Sequence, residues 1–467
     1  MPDPSIEAVV PALSNRIRQV MARQGVPGLA IGIVRDQALV WSSGFGYADL
    51  ASARPMDDTT SVGVASISKT FTATAIMQLR DLGALRLDDP VAQHIPEFTA
   101  VKNRFGRTDD VTIRRLLNHH SGLVGESPTG HWSSMTFPSM STILELLPSL
   151  EVVIEPASAF KYCNLAFALL GEIVERLSAR PYADYVRDQL LVPLGLHSSG
   201  FTIDAAMRSR TATGYLSNRY EDVPEVAPDP PTNGYAAAAG LRSSVVDLAK
   251  WLSLQFRTKD SPRSGQQVLA GRSLSEMHRV SHVDRDWVTG YALAWMGVRM
   301  HEHIHLTHGG AVPGFLSMVA FNKPSRLAVV VLTNKQGNSA AAAIAFRALE
   351  AVLAEDAKGT IPTPAKPPIP TPPSFKPLLG RYVSSPVFGV ILHVEFRNGR
   401  LMLVTPPDPY MPPPPPPAPL TATDDPAVFI VEAGRPAGEA LTFHFETECS
   451  VTGFALGEDG MEFRKTE

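Results

Sequence analysis

Seven prolines fall between Lys358 and Lys376, at 362, 364, 367, 368, 370, 372 and 373. They constrain the fold of this 467-residue chain more than any other feature. Proline fixes φ and has no amide hydrogen, so neither a helix interior nor a central strand can run through such a stretch. It reads as an extended, semi-rigid linker. The chain therefore divides into residues 1–357, a linker at 358–376, and residues 377–467.

The two parts differ in pattern. Before the linker, apolar runs near 28–35 and 38–46 predict a hairpin, and strands near 301–333 join it in one antiparallel sheet. A mostly helical region spans about 66 to 230, and a helix near Ala340–Glu355 closes the first part. This is an α/β domain. After the linker come short strands separated by turn residues: Gly380–Val383, Val390–Arg397, Leu401–Thr405, Ala427–Glu432, Leu441–Glu446 and Met461–Arg464. They predict a small antiparallel barrel or sandwich. Pro412–Pro417 is an uninterrupted proline run, either a solvated hairpin loop or a stiff finger reaching a cleft.

Three motifs carry chemistry. In Ser66-Ile67-Ser68-Lys69, the i to i+3 spacing puts Ser66 and Lys69 on one face of a helix. Phe71, Ala75, Leu79 and Leu82 give that helix an apolar face, and Gly83 stands where a C-cap belongs. A serine hydroxyl needs a base within hydrogen-bond reach to act as a nucleophile, and Lys69 supplies an amine there. Tyr162-Cys163-Asn164 precedes a predicted helix at Leu165–Leu177 and adds a phenol that can share a proton with Lys69. His308-Gly309-Gly310 is expected between strands His301–Thr307 and Phe315–Phe321. The amide of Ala311, just after the glycines, could pair with that of Ser66 as an oxyanion hole.

With these motifs in this order, the chain resembles the serine β-lactamase and penicillin-binding-protein-like hydrolases. The match is to the class C-like branch, with its family VIII esterases and D-peptidases. That branch uses a Y-x-N second motif and a K/H-x-G third. Val26–Val34, Leu116–Leu123 and Ala239–Leu248 also look like segments of that family. The resemblance covers roughly residues 10 to 350. It implies that Ser66 is acylated, that Lys69 and Tyr162 move protons, that Asn164 binds the substrate amide or ester, and that His308 lies beside the reacting group. Related hydrolases often carry a lipocalin-like barrel after the catalytic domain. Two departures stand out: the third motif begins with His rather than Lys, which favours an esterase or peptidase, and Cys163 takes a position often filled by Ser or Ala. A Cys163 near the cleft would make the protein sensitive to thiol reagents.

Composition excludes several classes. The net charge is −4, with no Lys/Arg run, which argues against a nucleic-acid partner. Two cysteines make a disulfide scaffold improbable. No signal-peptide pattern opens the chain and no stretch approaches a membrane span, so the expectation is a cytoplasmic protein without a membrane partner. His301, His303, His305 and His308 lack the Asp or Cys partners of familiar metal spacings, and His119-His120 falls in a family-like structural segment; no metal or cofactor is expected. The expected partner is a small-molecule ester or peptide-like substrate, and self-association into a homo-oligomer is left open. Carboxylesterase ranks first, then a peptidase acting on D-residues or small peptides, then β-lactamase or acyltransferase. A catalytically inactive binding protein on the same fold is the competing class.

Overall fold

The computed structural model describes residues 3–217, 224–257, 267–284, 287–359, 369–384, 390–406, 417–433, 436–447, 450–457 and 461–466. It comprises two compact units, Met1–Gly359 and Thr360–Glu467. The run Pro412–Pro417 lies outside the described residues except for Pro417, and so does Cys449.

The first unit is built on a nine-stranded antiparallel sheet. In chain order its strands are β1 (Gly28–Arg35), β2 (Ala38–Asp49), β3 (Arg54–Pro55), β4 (His282–Val283), β5 (Thr289–Tyr291), β6 (Met296–Met300), β7 (His303–Val312), β8 (Phe315–Asn322) and β9 (Leu327–Thr333). Their order across the sheet is β4-β5-β6-β7-β8-β9-β1-β2-β3, so the predicted hairpin joins the later strands through β1 and β9. β1 and β9 are nearly continuous apolar runs because both sheet faces are covered. Alternation along β9 divides the load. Leu327, Val329 and Val331 belong to one core, and Ala328, Val330 and Leu332 to the other.

On one face lie α1 (Pro4–Gln24) and α5 (Ala340–Gly359). Asp3 caps α1 by accepting from the amides of Ser5 and Ile6, and Gly25 ends it with φ +59°. Ile6, Val9, Leu13, Ile17 and Val20 recur every three or four residues and are buried. Each such side chain contributes about 1.5–3 kcal/mol by leaving water. On the other face lie α2 (Ser68–Asp81), α3 (Asn164–Ser178) and α4 (Val245–Gln255), within the larger core. α2 ends as expected. The amides of Gly83 and Ala84 reach back to the carbonyls of Arg80 and Leu79, and Gly83 has φ +77°. Leu82, expected on the apolar face, is 79% exposed because the helix has already ended at Asp81.

The second unit contains a closed eight-stranded antiparallel barrel in which each strand pairs with its sequence neighbours and the first strand, Gly380–Ser384, pairs with the last, Met461–Lys465. Its interior is filled by Tyr382, Phe429, Phe443, Phe454 and Phe463. Two strands escaped the sequence reading, Ala418–Ala422 and Ser450–Leu456. The first contains Pro419 directly after the proline run. The second contains Gly453, which is required because a Cβ there would stand 2.2 Å from the Phe463 carbonyl oxygen. Among the described residues, no helix is long and apolar enough to cross a membrane.

Candidate active site

Ser66 sits in a single 3₁₀ turn, Ala65–Ile67, that runs directly into α2. Across residues 61–77 every residue is buried except Ser66. The turn is tied down from both sides. Ala65 adopts φ +50°, a left-handed conformation that costs an alanine about 1 kcal/mol. Its carbonyl accepts from the Ser68 hydroxyl at 2.6 Å, and that hydroxyl accepts from the Leu241 amide at 3.0 Å. The Val64 amide donates to the Leu241 carbonyl, and the Val64 carbonyl accepts from Ser317 Oγ at 3.0 Å. The second serine of the motif therefore anchors the bend that presents the first.

Lys69 is wholly buried one turn along, and its Nζ has three oxygen partners: Ser66 Oγ at 3.0 Å, Asn164 Oδ1 at 2.7 Å and the Ala238 carbonyl at 2.8 Å. Three acceptors match the three N–H bonds of an ammonium. The same nitrogen lies 5.0 Å from the centroid of the Tyr162 ring and 5.5 Å from that of Phe167, within cation–π range. Tyr162 is 38% exposed, which is not the burial of a core tyrosine.

Asn164 is the first residue of α3, whose start is capped by sulfur. Cys163 Sγ accepts from the Ala166 amide at 3.1 Å and donates to the Val124 carbonyl at 3.1 Å. The thiol is fully buried and pushed up to about 12, chiefly by burial. A reactive cysteine at the cleft, expected if Cys163 lay there, does not match this thiol.

The His308-Gly309-Gly310 segment differs from its expected position between strands. It lies inside β7, and the turn comes later, at Gly314 with φ +79°. Gly310 is needed where the strand passes the Ser66 turn, since a Cβ there would stand 2.1 Å from the Val64 carbonyl oxygen. β6 pairs with β7 only as far as Thr307, so among the described residues His308–Val312 pairs on one side alone, with β8. Ser66, Tyr162, Asn164, Tyr291, His308 and Gly310 line a common cavity of about 720 Å³ together with Ala311. His301 lies in the turn before β7, with φ +52°, rather than on the strand with His303 and His305. His305 pairs with Glu350 at 2.6 Å.

Residues that the sequence did not mark as part of the site complete the surroundings. His119 packs its ring 4.3 Å from that of Tyr162 and accepts the Cys163 amide on Nδ1. Tyr291 lies 5.0 Å from His119, its hydroxyl 3.5 Å from His308 Nε2. Glu126 accepts from Asn164 Nδ2. Only Glu126 and His119 had a foothold in the sequence, next to or within the Leu116–Leu123 segment.

Burial sets the protonation of the histidines. His308 is pushed down to about 3 by burial and by the nearby Lys69, and His278 to about 3 by burial. His119 is held well below the ordinary imidazole value by burial and Lys69. An unfolded histidine titrates near about 6.5. The folded values are lower, so the unfolded chain takes up the extra protons. The stability these groups contribute is complete above about pH 6.5 and is lost as pH falls from there toward about 3. The melting temperature should therefore drop steadily from pH 7 to pH 4. The drop should be shallower in His278→Gln, relative to that variant's own value at pH 7. Equal slopes by calorimetry would exclude His278 as a contributor.

The beta-lactamase family profile matches residues 13–353. The chain belongs to the beta-lactamase family. Penicillin-binding protein 4 of Amycolatopsis lactamdurans is 30% identical over 383 residues, covering 79% of this chain and 96% of that protein. Protein flp of Staphylococcus aureus is 26% identical over 310 residues, and the chain spans 60% of that relative's length. The octameric penicillin-binding protein homologue from Pyrococcus abyssi shares the fold, with a TM-score of 0.63 at 24% identity, covering 98% of this chain and all of that one. A β-lactamase-like α/β unit followed by an antiparallel barrel is thus the architecture of this family member.

Proposed function

We propose that this beta-lactamase family member is a serine hydrolase that cleaves esters or small amides through an acyl-enzyme on Ser66, with carboxylesterase as the leading activity. The observation that supports it most is Lys69 Nζ at 3.0 Å from the hydroxyl of the one unburied residue in its stretch. Ser66 Oγ attacks the acyl carbonyl, and its proton passes to the Lys69–Tyr162 pair. The tetrahedral oxyanion is held by the amides of Ser66 and Ala311, and the pair returns the proton to the leaving group. Water then attacks the ester carbonyl on Ser66 and gives a proton to the pair, the acyl C–O bond to Ser66 breaks, and the pair returns the proton to Ser66 Oγ as the acid leaves, with Asn164 and His308 beside the acyl group. The role requires no metal or cofactor. We further assign the catalytic domain to residues 1–357, joined through 358–376 to a lipocalin-like barrel at 377–467.

A peptidase acting on D-residues or small peptides is the second reading. The one-sided pairing of His308–Val312 favours it, because an extended peptide can add along such an edge. Both readings are tested with p-nitrophenyl acetate, which should give a burst of nitrophenol and an acetyl group on the peptide containing Ser66. Rates over simple esters, D- and L-aminoacyl amides and a cephalosporin then rank the activities. Faster turnover of D-aminoacyl amides than of esters would put the peptidase first. No burst and no adduct with any of them would return the chain to a binding role.

A further inference from the structure

An asparagine amide has a donor end and an acceptor end of almost the same shape, so its neighbours decide which way it faces. At Asn164 the decision matters, because Oδ1 is one of the three oxygens around Lys69 Nζ. The neighbour on the other side is Glu126. Its Oε1 accepts from Asn164 Nδ2 at 2.5 Å, and its Oε2 lies 3.2 Å from His131 Nε2. His131 is buried, its Nδ1 is 2.7 Å from Thr129 Oγ1, and its ring packs against Trp132, Phe137 and Tyr235. Asn164 lines the cavity with Ser66, whereas Glu126 touches the site through Asn164.

We propose that Glu126, braced by His131, is a positioning residue that fixes the Asn164 amide with its oxygen toward Lys69. An ionised carboxylate can only accept hydrogen bonds, so it selects the NH₂ end of the amide. Turned the other way, the amide would point its oxygen at a carboxylate and its N–H groups at the N–H groups of Lys69. Lys69 would then keep only Ser66 Oγ and the Ala238 carbonyl.

The proposal rests on the hydrolase reading, and its test separates the two. Glu126→Leu, Glu126→Gln, Asn164→Ala and the double variant Glu126→Leu/Asn164→Ala are assayed on whichever ester or amide the wild type turns over fastest. Glu126→Leu should lower kcat about tenfold, part of what a well-placed proton-transfer group contributes. A glutamine side chain still offers Asn164 Nδ2 an oxygen, so Glu126→Gln should recover most of kcat. In the Asn164→Ala background, Glu126→Leu should add no further loss, since its effect passes through Asn164.

Wild-type kcat in Glu126→Leu would overturn the proposal, and so would losses that multiply in the double variant. If Glu126→Leu does not fold, the orientation of the Asn164 amide in a neutron crystal structure of the wild type carries the test. If the wild type acylates with no donor, the hydrolase reading falls instead. The amide is then read directly from a neutron crystal structure, where Nδ2 facing Lys69 would overturn the proposal and Oδ1 facing it would sustain it.

Discussion

Ser66→Ala is expected to lower acyl transfer by at least about 10³-fold while leaving the protein folded, because members of such a catalytic unit fail together. The expected fold retention has a structural reason. Ser66 is the unburied residue of its stretch, and losing its hydroxyl still leaves Lys69 with Asn164 Oδ1 and the Ala238 carbonyl. The bend that presents it is held by hydrogen bonds of Ser68, Leu241 and Ser317 that do not involve the Ser66 hydroxyl. Retention of more than a tenth of the activity, with unchanged circular dichroism, would remove Ser66 from the mechanism.

The second large effect concerns the proton-moving pair. Tyr162→Phe and Lys69→Ala should each slow acylation by roughly 10² to 10⁴. The two together should be little worse than either alone, because a shared proton makes them one unit. Tyr162→Phe is the cleaner variant, since it keeps the ring that lies over Lys69 and against His119. Lys69→Ala strips a partner from Asn164 Oδ1 and the Ala238 carbonyl in a buried site, so its melting temperature must be recorded beside its rate. Losses that simply multiply would show two independent roles.

What could be read from the sequence depended on how far each feature reaches along the chain. β1 and β9 were legible because a strand covered on both faces is a continuous apolar run. Ser66 and Lys69 were legible because helical spacing alone brings them together. Asn164 was singled out by its motif, yet its bond to Lys69 spans 95 residues of sequence and needs the fold. The Ala238 carbonyl was beyond reach for a different reason: a backbone oxygen has no residue-type signature. Glu126 belongs to the loop after Leu123, whose path the sequence left open. The HGG segment misled in a specific way. His308-Gly309-Gly310 was expected between two strands, whereas Gly310 is a strand residue made small by the Val64 carbonyl against it. In the barrel, Pro419 and Gly453 hid two strands, because proline and glycine ordinarily mark breaks between strands.

Using sulfur as the cap of α3 gives the chain a built-in clock. The Cys163 thiol is enclosed, bonded at both ends and reluctant to ionise, so alkylating reagents reach it only when the start of that helix comes undone. Tyr162 and Asn164 are its immediate neighbours on either side, so an event that frees the sulfur also frees the phenol and the amide. The rate at which a trapping reagent marks Cys163 in the native protein therefore measures how often the Tyr162–Asn164 segment comes apart and reassembles. A substrate that spans Ser66 and Asn164 would slow that clock in proportion to its occupancy, which provides a way to detect ligands that are never turned over.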